Sequence, residues 1–189
     1  MHHLIFEGPE LAGKSWIMSQ VYSYLEPRFS QNKNLLDGCH WFNCDIGLFG
    51  SDLGKILIKN YLPILKMLKK RNVLLEKFHL ADAVYNLLYQ QKTIDYFEVE
   101  EELKKMDYKI IFVALPEDKN IITDRLKDRL KLYPHYKRIA KSAEWYLGQQ
   151  KLYYQMLEKT NLPYLTIQTK NLPDASILPR ILDWLGIEN

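Results

Sequence analysis

Eight residues near the start of the chain, Gly8-Pro9-Glu10-Leu11-Ala12-Gly13-Lys14-Ser15, match the pattern G-x-x-x-x-G-K-[ST] without a mismatch. Each residue type has a task in holding phosphate. The two glycines let the backbone turn tightly and approach an anion closely. The N–H groups of residues 10–15 then point inward at phosphate oxygens, and the N-terminus of a following helix adds partial positive charge. Lys14 can reach the β- and γ-phosphates of a nucleoside triphosphate such as ATP, and the Ser15 hydroxyl suits Mg²⁺. Glu10 is the odd residue, a carboxylate in a loop built for anions. Its side chain can face outward while the backbone donors face in, which in the plainest reading makes it a solvent-facing residue at the loop tip.

Two further groups could act on phosphate. Glu76-Lys77-Phe78 closes an apolar run, and a carboxylate at a strand end can hold a metal shell or accept a proton. Arg125 and Arg129 lie four apart, so a helix would turn both to one face. Arg138 follows after a break at Pro134. Phosphoryl transfer needs positive charge around the moving group and exclusion of water, and a basic, interrupted segment over about 126–143 has the character of a mobile lid. The plain alternative is a solvated basic helix, since Lys127, Lys131, Lys137 and Lys141 lie nearby.

The elements that would position these groups alternate along the chain. His3–Glu7 reads as a buried strand ending at the glycine loop, and 14–26 as a helix stopped by Pro27. Residues 28–50 are irregular, with a second strand in or near "NLLDGCHWF". A helix kinked near Pro63 covers 53–71. Asn72–Phe78 is the third strand, and "HLADAVYNLLYQ" a helix directly after it. An exposed charged helix covers 97–106, and Lys109–Leu115 is the fourth strand. Pro116 opens a further helix, another covers about 138–159, "PYLTIQT" is the fifth strand, and a last helix runs from about Asp174 to Leu185. Such alternation predicts one domain, 1–189. Its class is α/β: a three-layer α/β/α P-loop NTPase fold with a five-stranded parallel sheet and a helical lid. Ligands then bind at the carboxyl ends of the strands.

Bulk properties narrow the classes. The chain of 189 residues is 47% hydrophobic and 13% aromatic, which describes a globular domain with a real core. A net charge of +3 suits anionic small molecules and gives little reason to expect a nucleic-acid groove. Two cysteines, Cys39 and Cys44, make no disulfide framework, and "CHWFNC" lacks the second ligand pair of a zinc site. No signal peptide or membrane-length apolar run is evident, so a cytoplasmic enzyme is the expectation.

The sequence resembles the thymidylate kinase-like and deoxynucleoside kinase branch of the P-loop kinases. "FEGPELAGKS" is similar to that family's F-E-G-x-[DE]-G-x-G-K-[ST], and "VLLEKFHLADAVY" to a strand ending in an acidic–basic–aromatic triplet, usually D-R-[YF], before a helix. Weaker similarity continues through "IIFVALPEDKNIITDRLKDR". The resemblance implies ATP and Mg²⁺ as cofactors and a nucleoside monophosphate, such as dTMP, as acceptor. It places Glu10 on the acceptor side, near a sugar hydroxyl or metal water, and Glu76 with Ser15 at the metal. Lys77 joins Lys14 in catalysis, with Arg129 or Arg138 closing on the phosphates. Arg125, Lys170 and Asn171 would lie on the adenine side, and Phe42, Phe78, His79 and Tyr85 would line the acceptor. Family members are often dimers through helix packing.

The chain also departs from that pattern. Lys77 stands where arginine is usual, and a lysine offers no planar fork to phosphate. Leu11 stands where some members carry an arginine, so catalytic charge would come from the lid. These departures keep two other readings open, a deoxynucleoside kinase acting on a sugar 5′-hydroxyl and a nucleotide-binding protein without catalysis. His79 also reads simply as a helix-start residue.

Overall fold

The computed structural model describes residues 1–187. Five apolar runs form strands β1 (His3–Glu7), β2 (Cys39–Asn43), β3 (Asn72–Glu76), β4 (Tyr108–Ala114) and β5 (Tyr164–Gln168). They make one parallel sheet in the order β2-β3-β1-β4-β5. β1 is central, and all five of its residues are buried. Its alternation feeds two cores. Ile5 faces one side together with Val73, Leu75, Ile110 and Phe112, and Leu4 and Phe6 face the other with Leu74, Ile111 and Val113.

Among the described residues seven α-helices cover the sheet: α1 (Lys14–Phe29), α2 (Gly54–Met67), α3 (His79–Gln90), α4 (Phe97–Lys105), α5 (Lys119–Leu132), α6 (Ala143–Leu157) and α7 (Ile177–Trp184). Ile58 of α2, Val84 of α3 and Leu103 of α4 pack into the Ile5 core; Ile17 and Val21 of α1 and Ile181 of α7 pack into the Leu4 core. The result is the expected three-layer α/β/α sheet fold. No helix among the described residues is long and apolar enough to cross a membrane.

Several boundaries differ from expectation, one of them at a proline that the sequence reads as a stop. α1 runs through Pro27 to Phe29. Pro27 lies in the last turn, where losing one N–H costs one bond and the helix is ending anyway. The Arg28 guanidinium donates back to the Tyr24 carbonyl at 3.2 Å, one turn earlier. Pro63 lies inside α2, as expected, and α2 ends at Met67, short of the expected 71. The segment expected to be helical over 138–159 starts later. Pro134–Arg138 forms a 3-10 turn, and α6 begins only after Ser142, whose hydroxyl accepts from the Trp145 N–H. β3 stops at Glu76 because Lys77 leaves the strand with φ of +57°.

Candidate active site

The loop after β1, the turn after β3, the segment after β2 and the loop after β5 all leave the carboxyl edge of the sheet, where the first two meet. Gly8 has φ of +137°, and a Cβ there would lie 2.2 Å from the Val113 carbonyl oxygen. The loop therefore lies directly on β4. Gly13 has φ of +91° and precedes α1, and Leu11 is also left-handed at +65°. Lys14 is nearly buried, and its ammonium donates to the Gly8 and Pro9 carbonyls, at 2.7 Å each. Burial lowers the pKa of Lys14, against the pull of Glu10 and Glu76.

Ser15 Oγ donates to Glu76 Oε1 at 2.6 Å, which joins the first turn of α1 to the end of β3. The two oxygens are hard donors on neighbouring elements, the ligand chemistry that Mg²⁺ prefers. Pro9, Leu11 and Ala12 serve the loop through backbone; Ala12 is fully buried and its carbonyl accepts from Thr169 Oγ1 at 2.9 Å.

Lys77 occupies the centre of the cleft. Its N–H donates to the Phe6 carbonyl at 3.0 Å, so the turn is fastened to β1. Its ammonium lies 2.8 Å from Glu10 Oε1 and 3.0 Å from Asp45 Oδ2, and 5.5 Å from the Tyr85 ring centroid. Burial works against both charges of the Glu10–Lys77 pair. The opposing charges prevail: Lys14, Lys77 and Arg129 hold the Glu10 carboxyl down to about 2, and Glu10 and Asp45 hold the Lys77 ammonium above its ordinary range. Glu10 is thus tied to Lys77 and does not stand free in solvent at the loop tip.

Arg125 reaches from α5 across the loops. Its guanidinium donates to the Leu11 carbonyl at 3.2 Å, to Thr169 Oγ1 at 2.9 Å, and to the Thr169 and Lys170 carbonyls at 2.8 and 3.3 Å. One planar fork therefore joins the glycine loop to the loop after β5. Lys170 and Asn171 are exposed on that loop, and Leu172 lies over Gly13.

No family model and no curated protein sequence matches the chain. Solved structures do. The YorR protein of Bacillus subtilis, solved with phosphorylated GDP, aligns over 97% of this chain and 95% of its own, at 16% identity and a TM-score of 0.67. Deoxyadenosine kinase from M. mycoides with dATP aligns over 98% and 100%, at 16% identity and 0.56. Thymidylate kinase from Ehrlichia chaffeensis aligns over 98% of each chain, at 15% identity and 0.56. The fold is that of the thymidylate and deoxynucleoside kinase-like P-loop kinases. At this identity the likeness is one of architecture, and the chemistry has to be argued from the residues.

On this P-loop kinase fold, Gly8–Ser15, Glu76, Lys77 and Arg125 converge at one cleft. Arg129 stacks over Tyr133 and Tyr136, at 4.9 and 5.2 Å from their centroids, and its charge reaches Glu10. Arg138 is exposed at the end of the 3-10 turn. Tyr85 is half-buried beside Lys77, and half-buried Phe42 packs edge-on to Tyr61 at 6.4 Å. Two expected acceptor residues are not gathered there. Phe78 and His79 are fully buried, and His79 Nε2 is paired with Glu100 Oε1 at 3.0 Å on the α4 side. The resemblance places them at the acceptor; the turn at Lys77 and the start of α3 put them in the core instead. The plainer reading of His79, a helix-start residue, matches this placement.

Two further residues at the cleft stand outside the expected site set. Asp45 lies just after β2, and its Oδ1 accepts from the Gly47 N–H at 3.0 Å, which fixes the carboxylate. Glu7 ends β1 and is fully buried, and its Oε1 accepts from the N–H groups of Phe78, Leu80 and Ala81 at 2.9, 3.1 and 3.3 Å. The Glu in "FEG" was on view as a motif letter, but nothing local said what it would hold.

Proposed function

We propose that the protein transfers the γ-phosphoryl group of ATP to a deoxynucleoside-type acceptor. The glycine loop and Lys14 supply the triphosphate grip, and Arg125 braces the loop where the adenine side lies. Ser15 and Glu76 would hold Mg²⁺, which when bound neutralises charge on the β- and γ-phosphates.

The observation that supports a nucleoside acceptor is the position of Lys77 between Glu10 and Asp45. A cation shared by two carboxylates has little charge left for a phosphate dianion, and Glu76 adds a third carboxylate close by. A neutral 5′-hydroxyl meets no such repulsion. Its proton passes to a carboxylate, its oxygen forms the new bond to phosphorus, and the bond from phosphorus to the β–γ bridging oxygen breaks to release ADP. This favours a nucleoside over the dTMP-type monophosphate that the resemblance first suggests. Arg129, beside Glu10, supports the monophosphate as the second reading.

ADP release measured with thymidine and deoxyadenosine against their monophosphates tests the proposal. Faster turnover of the nucleosides is the expected result. Faster turnover of dTMP establishes the second reading, and ATP binding with no acceptor-dependent ADP release overturns both in favour of a non-catalytic nucleotide-binding protein.

A further inference from the structure

Lys77 is a non-glycine residue in the left-handed region, at φ +57°. From that backbone conformation its side chain reaches Glu10 and Asp45, and no glycine relieves the strain. Something outside the turn has to hold it. On its N-terminal side the holder is β1, through the Lys77 N–H to the Phe6 carbonyl at 3.0 Å. On its C-terminal side the residue preceding α3 is Phe78, whose side chain has no group to cap the helix. The first-turn N–H groups would be left unpaired in a buried setting. Glu7 takes that task from another strand: one carboxylate oxygen accepts from Phe78, Leu80 and Ala81. Its other oxygen is buried without a hydrogen-bond partner. One oxygen therefore makes all three of these bonds.

We propose that Glu7 is a positioning residue: by capping α3 from the end of β1, it fixes the turn at Lys77 and so aims the ammonium between Glu10 and Asp45. The role rests on the proposed function in one respect, that Lys77 serves the acceptor. Glu7 itself is fully buried and touches no substrate. Burial raises its pKa, which agrees with a group valued as an acceptor and not as a charge.

Two variants separate length from charge. Glu7→Gln keeps the acceptor oxygen in place and removes the charge; Glu7→Asp keeps the charge and withdraws the oxygen by one methylene. The expected result is that Glu7→Gln stays within about threefold of wild type in kcat/KM for the acceptor, while Glu7→Asp loses about tenfold or more, with KM for ATP unchanged. In a Lys77→Ala background, Glu7→Asp should cost less than about twofold further, because its effect runs through Lys77. A second readout needs no turnover: in ¹⁵N-lysine-labelled protein, the ammonium signal assigned to Lys77 by its loss in Lys77→Ala should persist in Glu7→Gln and shift or broaden in Glu7→Asp. Equal losses from Glu7→Asp in both backgrounds, or an unchanged Lys77 signal in Glu7→Asp, overturns the proposal. Should Glu7→Asp fail to fold, Glu7→Gln still decides: loss of the Lys77 signal with thermal stability retained refutes it. A wild-type protein without acceptor turnover sinks the kinase reading alone, since the ammonium signal reports on Glu7 regardless.

Discussion

Glu10 shows how a single carboxylate changes character with its neighbours. In the sequence it contradicts its loop, and in the structure it is one arm of an ion pair with Lys77. Its carboxyl is held near 2, against an ordinary 4.5. A depressed carboxyl stabilises the fold fully above about 4.5, and that contribution drains away as pH falls through about 2. Lys77 is raised, so its own contribution is complete below 10.5 and fades only on the alkaline side. Urea titrations at pH 4.5 and below should therefore show wild type losing stability more steeply than Glu10→Gln down to pH 2; parallel losses would show that the pair is not linked to folding. At the same scale, Lys14→Ala should lower turnover by about a hundred- to a thousandfold with the circular dichroism spectrum unchanged. Lys14 and Ser15 could be named from the sequence because the loop pattern is local, but the pairing of Glu10 with Lys77 could not. Asp45 was not, because an aspartate in an irregular segment acquires meaning only when β2 is laid beside β3 and sets it against Lys77.

Elements succeed or fail here on close approaches that can be ranked. Gly8 and Gly13 both have positive φ, but a Cβ on Gly8 meets the backbone of Val113, whereas one on Gly13 meets the end of the Leu172 side chain at 2.4 Å. Gly8→Ala should thus destabilise more than Gly13→Ala, by about 3 kcal/mol or more against about 1–2. Chemical denaturation of the two variants checks the order. Adding Leu172→Ala to Gly13→Ala should recover only part of the loss, since the left-handed backbone remains. Arg125→Lys offers a further test, because an ammonium cannot serve the loop after β1 and the loop after β5 together. ATP affinity should fall about tenfold by titration calorimetry, as expected when one charged hydrogen bond is lost. Strand and helix positions were legible from apolar periodicity, and the strands from their short buried runs. Helix ends were not, for two reasons. Pro27 is tolerated in the last turn of α1, and Pro134–Arg138 takes a tighter turn that periodicity does not distinguish from a helix.

For the whole molecule, five strands in the order β2-β3-β1-β4-β5 bring loops distant in sequence to one edge. That order follows from no single stretch of residues, although strand–helix alternation already pointed to a parallel sheet. Ligand binding at that edge should be visible globally. With ATP and Mg²⁺ at a hundredfold excess over the dissociation constant, mass action adds about 2.7 kcal/mol, or roughly 5–10 °C in Tm for a domain of this size. Lys14→Ala should abolish the shift in a thermal melt. The crowding of Glu10, Asp45 and Glu76 around Lys77 has one more consequence, which concerns departure. When a hydroxyl is converted to a phosphate ester, the molecule gains about two negative charges beside these three carboxylates. The surroundings that admit the uncharged molecule would then expel the charged one, so turnover would gain at its final step from the same residues that decide who enters.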